Sequence, residues 1–553
     1  MTIVRPLPLV TPDTESFWTG GEVGELRVKR CTTCHRLAHP SLTVCPVCHT
    51  PTLLNAVVSG RGTVVGFTIN HQPWLPGFPP PYVVAVVALE EDPRVRLTTN
   101  IVGCQPDDVG VGIPVKVLFE EHEDVWLPLF EPDPVGDISD IGQPDPPAIV
   151  TRPMASTDKF EDKVAITGIG MSQVGRRLMR APVALTVEAC LAAVADAGLS
   201  LGDIDGLCTY PGGMGGVTGI SEGGVTVVEE ALGIHPTWHQ GGSETPGQTG
   251  SVVAAMLAVA AGLCRHVLCF RTVWESTHTE LMRSGRLTPG GGGGGRAGGD
   301  MMAFRLPFGA ASAANWIAMH ASQYLHRYKA GREMLGWVAI NGRTNAARNP
   351  LALYRDPMTM DDYLSARMIS TPFGLLDCDV PCDGSVAFII SRSDQAPDMR
   401  QPPVLVESVG TQIGERLSWD QGTLTHLPNV FAPAAHLWSR TSLRPSDVDV
   451  AELYDGFSFN CVSWLEALGF CGVGEAGGFL EGGGRVALDG ELPLNTHGGQ
   501  LSAGRTHGYG FLHEAVLQLR GQAGERQVGG AEVAAVAAGG GVPAGCFLLT
   551  RGR

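Results

Sequence analysis

Two Cys-X-X-Cys pairs near the N-terminus, Cys31-Thr32-Thr33-Cys34 and Cys45-Pro46-Val47-Cys48, constrain the fold more than any other feature of the chain. Each pair turns two sulfurs toward one point, and the ten residues between them let the pairs meet. Four thiolates at this spacing match a tetrahedral Zn²⁺ site. Against the alternative of four unpaired cysteines, the doubled spacing favours the metal. His35 and His49 flank the pairs, but four sulfurs already complete the shell. A closed Cys₄ shell leaves no position for water, so the expected role is structural. We expect a zinc ribbon over residues 15–55.

Composition excludes several functions. The 553 residues carry 39 basic and 56 acidic side chains, a net charge of −17. Such a chain has no overall field for nucleic acid or an anionic membrane, and no run of Lys or Arg supplies a local one. No stretch reaches about 18 uninterrupted apolar residues, so no transmembrane helix is expected. The N-terminus lacks the apolar core of a secretory signal, and the remaining ten cysteines are scattered, which suggests a cytoplasmic protein with reduced thiols.

From Val57 to Trp126, short apolar runs alternate with Gly- and Pro-rich turns. Gly62–Ile69, Tyr82–Glu90, Val95–Val102 and Val115–Glu120 read as strands. Four or five strands in so short a stretch suggest a small barrel of the OB type over residues 56–131. An acidic, proline-rich linker follows at 132–160. From residue 161 the pattern changes to strand–helix alternation, with Ala181–Ala197 a helix ended by Gly198. Two halves are expected, 161–400 and 401–553, because a motif recurs: Leu201-Gly-Asp-Ile-Asp205 and Leu443-Arg-Pro-Ser-Asp-Val-Asp449 each precede a strand and a turn. A loop insertion is expected at about 275–395. It contains the six glycines Gly290–Gly295, read as a mobile or disordered loop rather than a phosphate cradle. Cys378 and Cys382 in the same stretch have no second pair nearby and read as a loop.

The ribbon followed by a barrel resembles a family of zinc-ribbon/OB-fold domains that accompany acyl-CoA enzymes. Three later segments resemble the thiolase superfamily, in its sterol carrier protein branch. They are Ala451–Ser458, Asn495–Phe511 and Ala538-Gly-Gly-Gly-Val542. The resemblance implies a layered α-β-α-β-α fold built from duplicated βαβαβ-type halves. It also shows what is missing. A thiolase carries a nucleophilic cysteine in the segment that here reads Gly241–Met256, yet no cysteine lies between Cys208 and Cys264. Its Gly-His-Pro turn reads Gly504-Arg505-Thr506, and its second cysteine is replaced by Ala538. Without those cysteines no acyl-enzyme forms by the usual route.

This pattern is similar to the lipid-transfer-protein aldolases of bacterial steroid side-chain degradation. Their Tyr-Asp-Gly-Phe and His-Gly-Tyr-Gly-Phe segments stand here at Tyr454–Phe457 and His507–Phe511. The resemblance implies a carbon–carbon lyase. A β-hydroxyacyl-CoA with a tertiary alcohol splits into a ketone and a short acyl-CoA such as propionyl-CoA or acetyl-CoA. Retro-aldol cleavage needs a base for the alcohol proton, support for the thioester enolate and an acid for the carbon, but no covalent intermediate. Tyr454 and Tyr509 take the acid and base roles in either order. Asp455 orients Tyr454, and His507 relays a proton or donates to the thioester oxygen. Arg505 and His497 are placed at the substrate. Expected cofactors are structural Zn²⁺ and the CoA of the substrate, with no redox or organic group. Expected associations are a homodimer and a MaoC-type enoyl-CoA hydratase, whose polypeptide usually carries the ribbon and barrel fused here. The rival reading is a non-catalytic thiolase-fold carrier of acyl-CoA, or a scaffold for the hydratase.

Overall fold

The computed structural model describes residues 4–136, 146, 148–212, 219, 224–287, 296, 301–416, 418–539 and 544–552. The six-glycine run, residues 137–145 and 147 of the proline linker and part of the final Gly-Gly-Gly segment lie outside these residues. Among the described residues no helix is long and apolar enough to cross a membrane.

The ribbon is a three-stranded antiparallel sheet of Leu26–Cys31, Leu37–Ala38 and Leu53–Val58. Five strands follow: Arg61–Asn70, Tyr82–Leu89, Arg96–Ile101, Pro114–His122 and Val125–Pro132. The first pairs with the fourth, and Ile101 meets Phe130 in parallel, which closes the barrel. The strand Tyr82–Leu89 explains its own sequence. It is apolar without alternation because both faces are covered. Val83, Ala85, Val87 and Leu89 fill the barrel, while Val84, Val86 and Ala88 pack with Ala310, Met319 and Leu424 of the rest of the chain.

The α/β part is built on one nine-stranded sheet. Its first half runs, from the edge inward, Trp238–Gly241, Gly206–Thr209, His266–Trp274, Asp383–Arg392 and Val164–Met171. The second half continues outward through Val404–Gly410, Gly545–Arg551, Val533–Ala538 and Val450–Leu453. In chain order the first half is arranged third, second, fourth, fifth, first. The second half mirrors it, with its third strand reduced to a parallel bridge between Ala451 and Leu494. The pairing senses agree as well: parallel, then antiparallel toward the centre, in both halves. The duplication suggested by the Leu201 and Leu443 motifs is therefore a property of the whole sheet.

Alternation along the strands sorts the helices into layers. Leu207, Leu268, Phe270, Ala387 and Ile389 face the outer helices Pro182–Ala197 and Val225–Leu232. Their neighbours Cys208, Val267, Cys269, Val386 and Phe388 face a central layer formed by helices Gly250–Ala260 and Tyr509–Arg520. Gly250–Ala260 carries no charged side chain, while Tyr509–Arg520 buries Glu514 and Arg520 as paired charges with Arg526 and Asp196.

The stretch 275–395 differs from the expected loop. It holds helices Glu275–Arg283, Ala313–Tyr328, Glu333–Ala346 and Met360–Ser365, and near its end lies the core strand Asp383–Arg392. The glycine run gives a strong local loop signal, and the periodic apolar positions beyond it form the helices. Part of the stretch also fastens the barrel. Ala303, Phe304 and Phe308 enter the barrel core, and Arg5 Nη1 donates to Asn100 Oδ1 (2.7 Å) and to the Pro307 carbonyl (2.8 Å).

Candidate active site

The four cysteines fit the expected metal. Their sulfurs lie within 4.8 Å of one another, with Cys31–Cys48 at 3.4 Å and Cys34–Cys45 at 3.6 Å. A tetrahedral shell with Zn–S of about 2.3 Å puts sulfurs about 3.8 Å apart. His35 and His49 have φ of 58° and 61° and donate their backbone N–H to Cys31 and Cys45. They close the two turns, and their exposed rings are not needed as ligands.

The chemistry-bearing segments meet at the ends of the second-half strands. After Val450–Leu453 the chain turns through Tyr454–Phe457. A second turn, Asn495–Gly508, replaces the missing third strand. Between them runs Cys378–Pro381. Asp379 N–H donates to Gly456 (3.1 Å), Val380 N–H to Gln500 (3.0 Å), and Arg505 N–H to Val380 (2.9 Å). The three segments are thus stitched by main-chain bonds, which fixes their side chains relative to one another.

Tyr454 is buried, and its hydroxyl is pushed above the usual tyrosine range by burial and by Asp379, with Arg505 opposing. Asp455 accepts from Gln500 N–H (2.7 Å) and Asn495 Nδ2 (3.2 Å), so it holds the second turn against the first. Burial raises its carboxyl to about 7, against the Gln500 hydrogen bond. Arg505 is committed to protein carboxylates: its Nε and Nη2 meet Glu275, and its Nη1 lies 3.1 Å from Asp379 Oδ1. His507 lies beside Arg271 and Arg505, and burial and these two cations hold its ring neutral. Its backbone N–H donates to Gln500 Oε1 (2.8 Å).

The other two expected site residues have their hydrogen bonds elsewhere, although His497 still feels Asp455 and Tyr509 feels Arg271. Tyr509 is fully buried in the central layer, with its hydroxyl 2.5 Å from Ser251 Oγ and its ring on Phe388. His497 Nδ1 is 2.9 Å from Glu452, whose carboxylate also takes the N–H and hydroxyl of Thr496. Burial disfavours charge on His497, but Glu452 outweighs it and the net shift is upward. That ring lines a small pocket with His513, Glu514 and Arg526.

Neither thiolase cysteine position is refilled. Gly247, with φ +71°, packs so closely that a Cβ there would stand 2.7 Å from the Ala538 carbonyl oxygen. Cys378 and Cys382 are near the site, but burial pushes both thiols up and away from thiolate. What the site does offer is unused polarity. His507 Nε2, Gln500 Nε2 and Asn460 Nδ2 are buried with no partner among the described residues. Buried polar atoms of this kind are normally satisfied, so they mark room for a polar partner.

Sequence reasoning missed Asp379, Glu275, Arg271 and Gln500. Asp379 lies in Leu376–Cys382, where the cysteine spacing is the one local signal and it points to no carboxylate. A cleft of about 740 Å³ reaches it between Leu375, Val380 and Leu501, with Arg176, Arg343 and Tyr354 also on its walls.

Comparison with known proteins agrees with this architecture. Residues 421–547 match the thiolase C-terminal domain-like family, and residues 56–120 match the C-terminal OB-fold domain of ChsH2. The chain is 35% identical over 396 residues to a steroid side-chain-cleaving aldolase of Thermomonospora curvata, covering 70% of this chain and 98% of the relative. It is 35% identical over 392 residues to the 17-hydroxy-3-oxo-4-pregnene-20-carboxyl-CoA lyase of Mycobacterium tuberculosis, covering 70% and 99%. A solved Ltp2-ChsH2(DUF35) aldolase superposes with a TM-score of 0.63 at 34% identity, over 71% of this chain and 98% of that one. With the nucleophile positions empty and a proton-handling centre in their vicinity, the chain belongs to the thiolase-fold side-chain aldolases, carbon–carbon lyases acting on acyl-CoA thioesters, and carries its OB-fold domain on the same polypeptide.

Proposed function

We propose that this enzyme cleaves a β-hydroxyacyl-CoA bearing a tertiary alcohol, on a steroid or similar ring system, into a ketone and propionyl-CoA or acetyl-CoA. The carrying observation is the pairing of a segment Gly241–Met256 that lacks the thiolase cysteine with buried acid/base groups around Tyr454. The relative's name, a 17-hydroxy 20-carboxyl-CoA lyase, supports the tertiary alcohol. Arg176 and Arg343, both packed on the Tyr354 ring, suit the anionic end of CoA at the cleft.

In this reading Tyr454 is the acid. Burial keeps its proton on, and it releases that proton to the α-carbon as the C–C bond breaks. His507 Nε2 and the amides of Gln500 and Asn460 receive the developing enolate oxygen, since preorganised donors stabilise charge that appears only in the transition state. Tyr509 braces the central helices through Ser251 and takes no proton. Zn²⁺ held by Cys31, Cys34, Cys45 and Cys48 keeps the ribbon folded. The substrate's β-hydroxyl arises from water addition to an enoyl-CoA, so an enoyl-CoA hydratase, of the MaoC type, is the partner reaction. The free edge of Trp238–Gly241 is the proposed seam of a homodimer in the cytoplasm.

The test is incubation of the full chain with a steroid-derived β-hydroxyacyl-CoA, with no added thiol or CoA, and mass spectrometry of products. Ketone plus short acyl-CoA is expected. Tight binding with no cleavage would move the chain to the carrier reading.

A further inference from the structure

We propose that Asp379 is the catalytic base, the carboxylate that takes the proton of the substrate's β-hydroxyl. The proposal rests on the aldolase reading above and assigns the role that reading leaves open.

The geometry singles out Asp379 among the acids of the site. It lies on the cleft, with a side chain 6% exposed. One of its oxygens meets Arg505 Nη1 at 3.1 Å, and the other has no protein donor among the described residues. Asp455 has both oxygens engaged, by Gln500 N–H and Asn495 Nδ2. Glu275 spends both on Arg505, and Glu452 is tied to His497 and Thr496. Asp379 therefore has an oxygen to offer and a rigid backbone to aim it, held by bonds to Gly456, Gln500 and Arg505 through itself and Val380.

The charge balance around it suits a base. Arg505 is shared between Glu275, which takes a bidentate pair, and Asp379, which takes a single contact. Asp455 and Tyr454 face the same centre, and the thiols of Cys378 and Cys382 flank it. Two cations, Arg505 and Arg271, stand among the three carboxylates Asp379, Glu275 and Asp455, and only Arg505 touches Asp379, so proton affinity remains in surplus. Burial, opposed by Arg505 and reinforced by Glu275 and Asp455, raises the Asp379 carboxyl to about 7. A base works best with a pKa near the operating pH. Tyr454 is shifted in the opposite sense to what a base requires, since its proton is held more tightly than in water.

The cycle balances. The Asp379 carboxylate takes the hydroxyl proton, and the O–H electron pair becomes the C=O bond of the ketone. The bond between the α- and β-carbons breaks, leaving its pair on the α-carbon as the thioester enolate. The Tyr454 O–H protonates that carbon and gives the short acyl-CoA. The proton on Asp379 then passes to the Tyr454 phenolate, and both groups return to their starting forms. No oxidant or reductant enters.

The experiment compares D379N, D379E and wild type, as full chains, on the β-hydroxyacyl-CoA used above, between pH 5.5 and 9. Wild type should gain kcat/KM through a limb near neutrality. D379N should lose about 10²–10⁴-fold in kcat with KM within about threefold, and D379E should recover part of the rate and keep the limb. Infrared difference titration of wild type against D379N, without substrate, should show a protonated carboxyl band that disappears between about pH 6 and 8. Wild-type cleavage alongside an equally active D379N overturns the base role alone. A wild type that binds but cleaves nothing overturns the aldolase reading and the base role together.

Discussion

The two halves of the α/β part share one strand order and differ in what they place at the strand ends. Tyr210 follows the strand Gly206–Thr209 just as Tyr454 follows Val450–Leu453. The surroundings then diverge. Tyr210 is followed by Pro211 and packs under Arg271, which donates Nη1 to the Tyr210 carbonyl. Tyr454 is followed by Asp455 and faces Asp379 and Arg505. The first half keeps a third strand, Trp238–Gly241, as a regular sheet edge. The second half shrinks that strand to Leu494 and spends the freed residues on the turn Asn495–Gly508. A duplicated scaffold supplies the frame, and the chemistry gathers where one copy has given up regular structure. Loops positioned by a rigid sheet are the usual place for such groups.

The two tyrosines give the sharpest way to break this comparison. Y454F should lower kcat by about 10²–10⁴-fold while acyl-CoA binding changes little, because a positioned acid is lost and shape is kept. Y210F should stay within about threefold of wild type. Steady-state turnover and calorimetric binding of both variants decide it, and equal losses would make the halves chemically equivalent. A second variant asks whether the first half can be returned to cysteine chemistry. G247C puts a side chain at φ +71° and 2.7 Å from the Ala538 carbonyl oxygen. The left-handed conformation costs about 1–2 kcal/mol and the crowding about as much again. The expected result is a lower unfolding midpoint, no acyl-enzyme by mass spectrometry, and reduced aldol cleavage. A stable, acylated G247C would show that only the missing sulfur separates this site from a thiolase.

Much of the scaffold was legible because it obeys short-range rules. The paired cysteines, the barrel strands and the helix ended by Gly198 each follow from local spacing or periodicity, and Gly198 indeed has φ +76°. Tyr454 and Asp455 were legible as a motif, and the structure puts both at the centre. Asp379 and Glu275 were not. Their importance comes from Arg505, which lies 126 residues after one and 230 after the other, and no local pattern announces a shared guanidinium. The tight pocket of Tyr509 was equally hidden: a tyrosine between two glycines reads the same whether its hydroxyl faces a substrate or Ser251. The strand Asp383–Arg392 was missed for the opposite reason, since a glycine run upstream coloured the whole stretch as loop.

The smallest expected effect is thermodynamic and separates the halves by pH. Asp455 has no counterpart in the first half, where Pro211 stands. Its carboxyl is raised to about 7 in the folded chain, chiefly by burial, while an unfolded Asp titrates near about 3.9. Between those values the folded state binds the proton that the unfolded state has lost. Stability from this group is therefore full below about pH 4 and falls as pH rises toward about 7, by at most about 1.4 kcal/mol per pH unit. D455N cannot ionise, and its single amide oxygen accepts from only one of the two donors, Gln500 N–H and Asn495 Nδ2, while its nitrogen faces the other. It should start less stable at pH 4.5 and lose less on going to pH 7, so that the two denaturation curves converge. Asp379 adds a similar slope, so the difference between wild type and D455N, rather than either curve alone, isolates Asp455. Parallel curves across that window would place its carboxylate in the charged form throughout, and the turn at Asn495–Gln500 would then be held by an anion rather than by a shared proton.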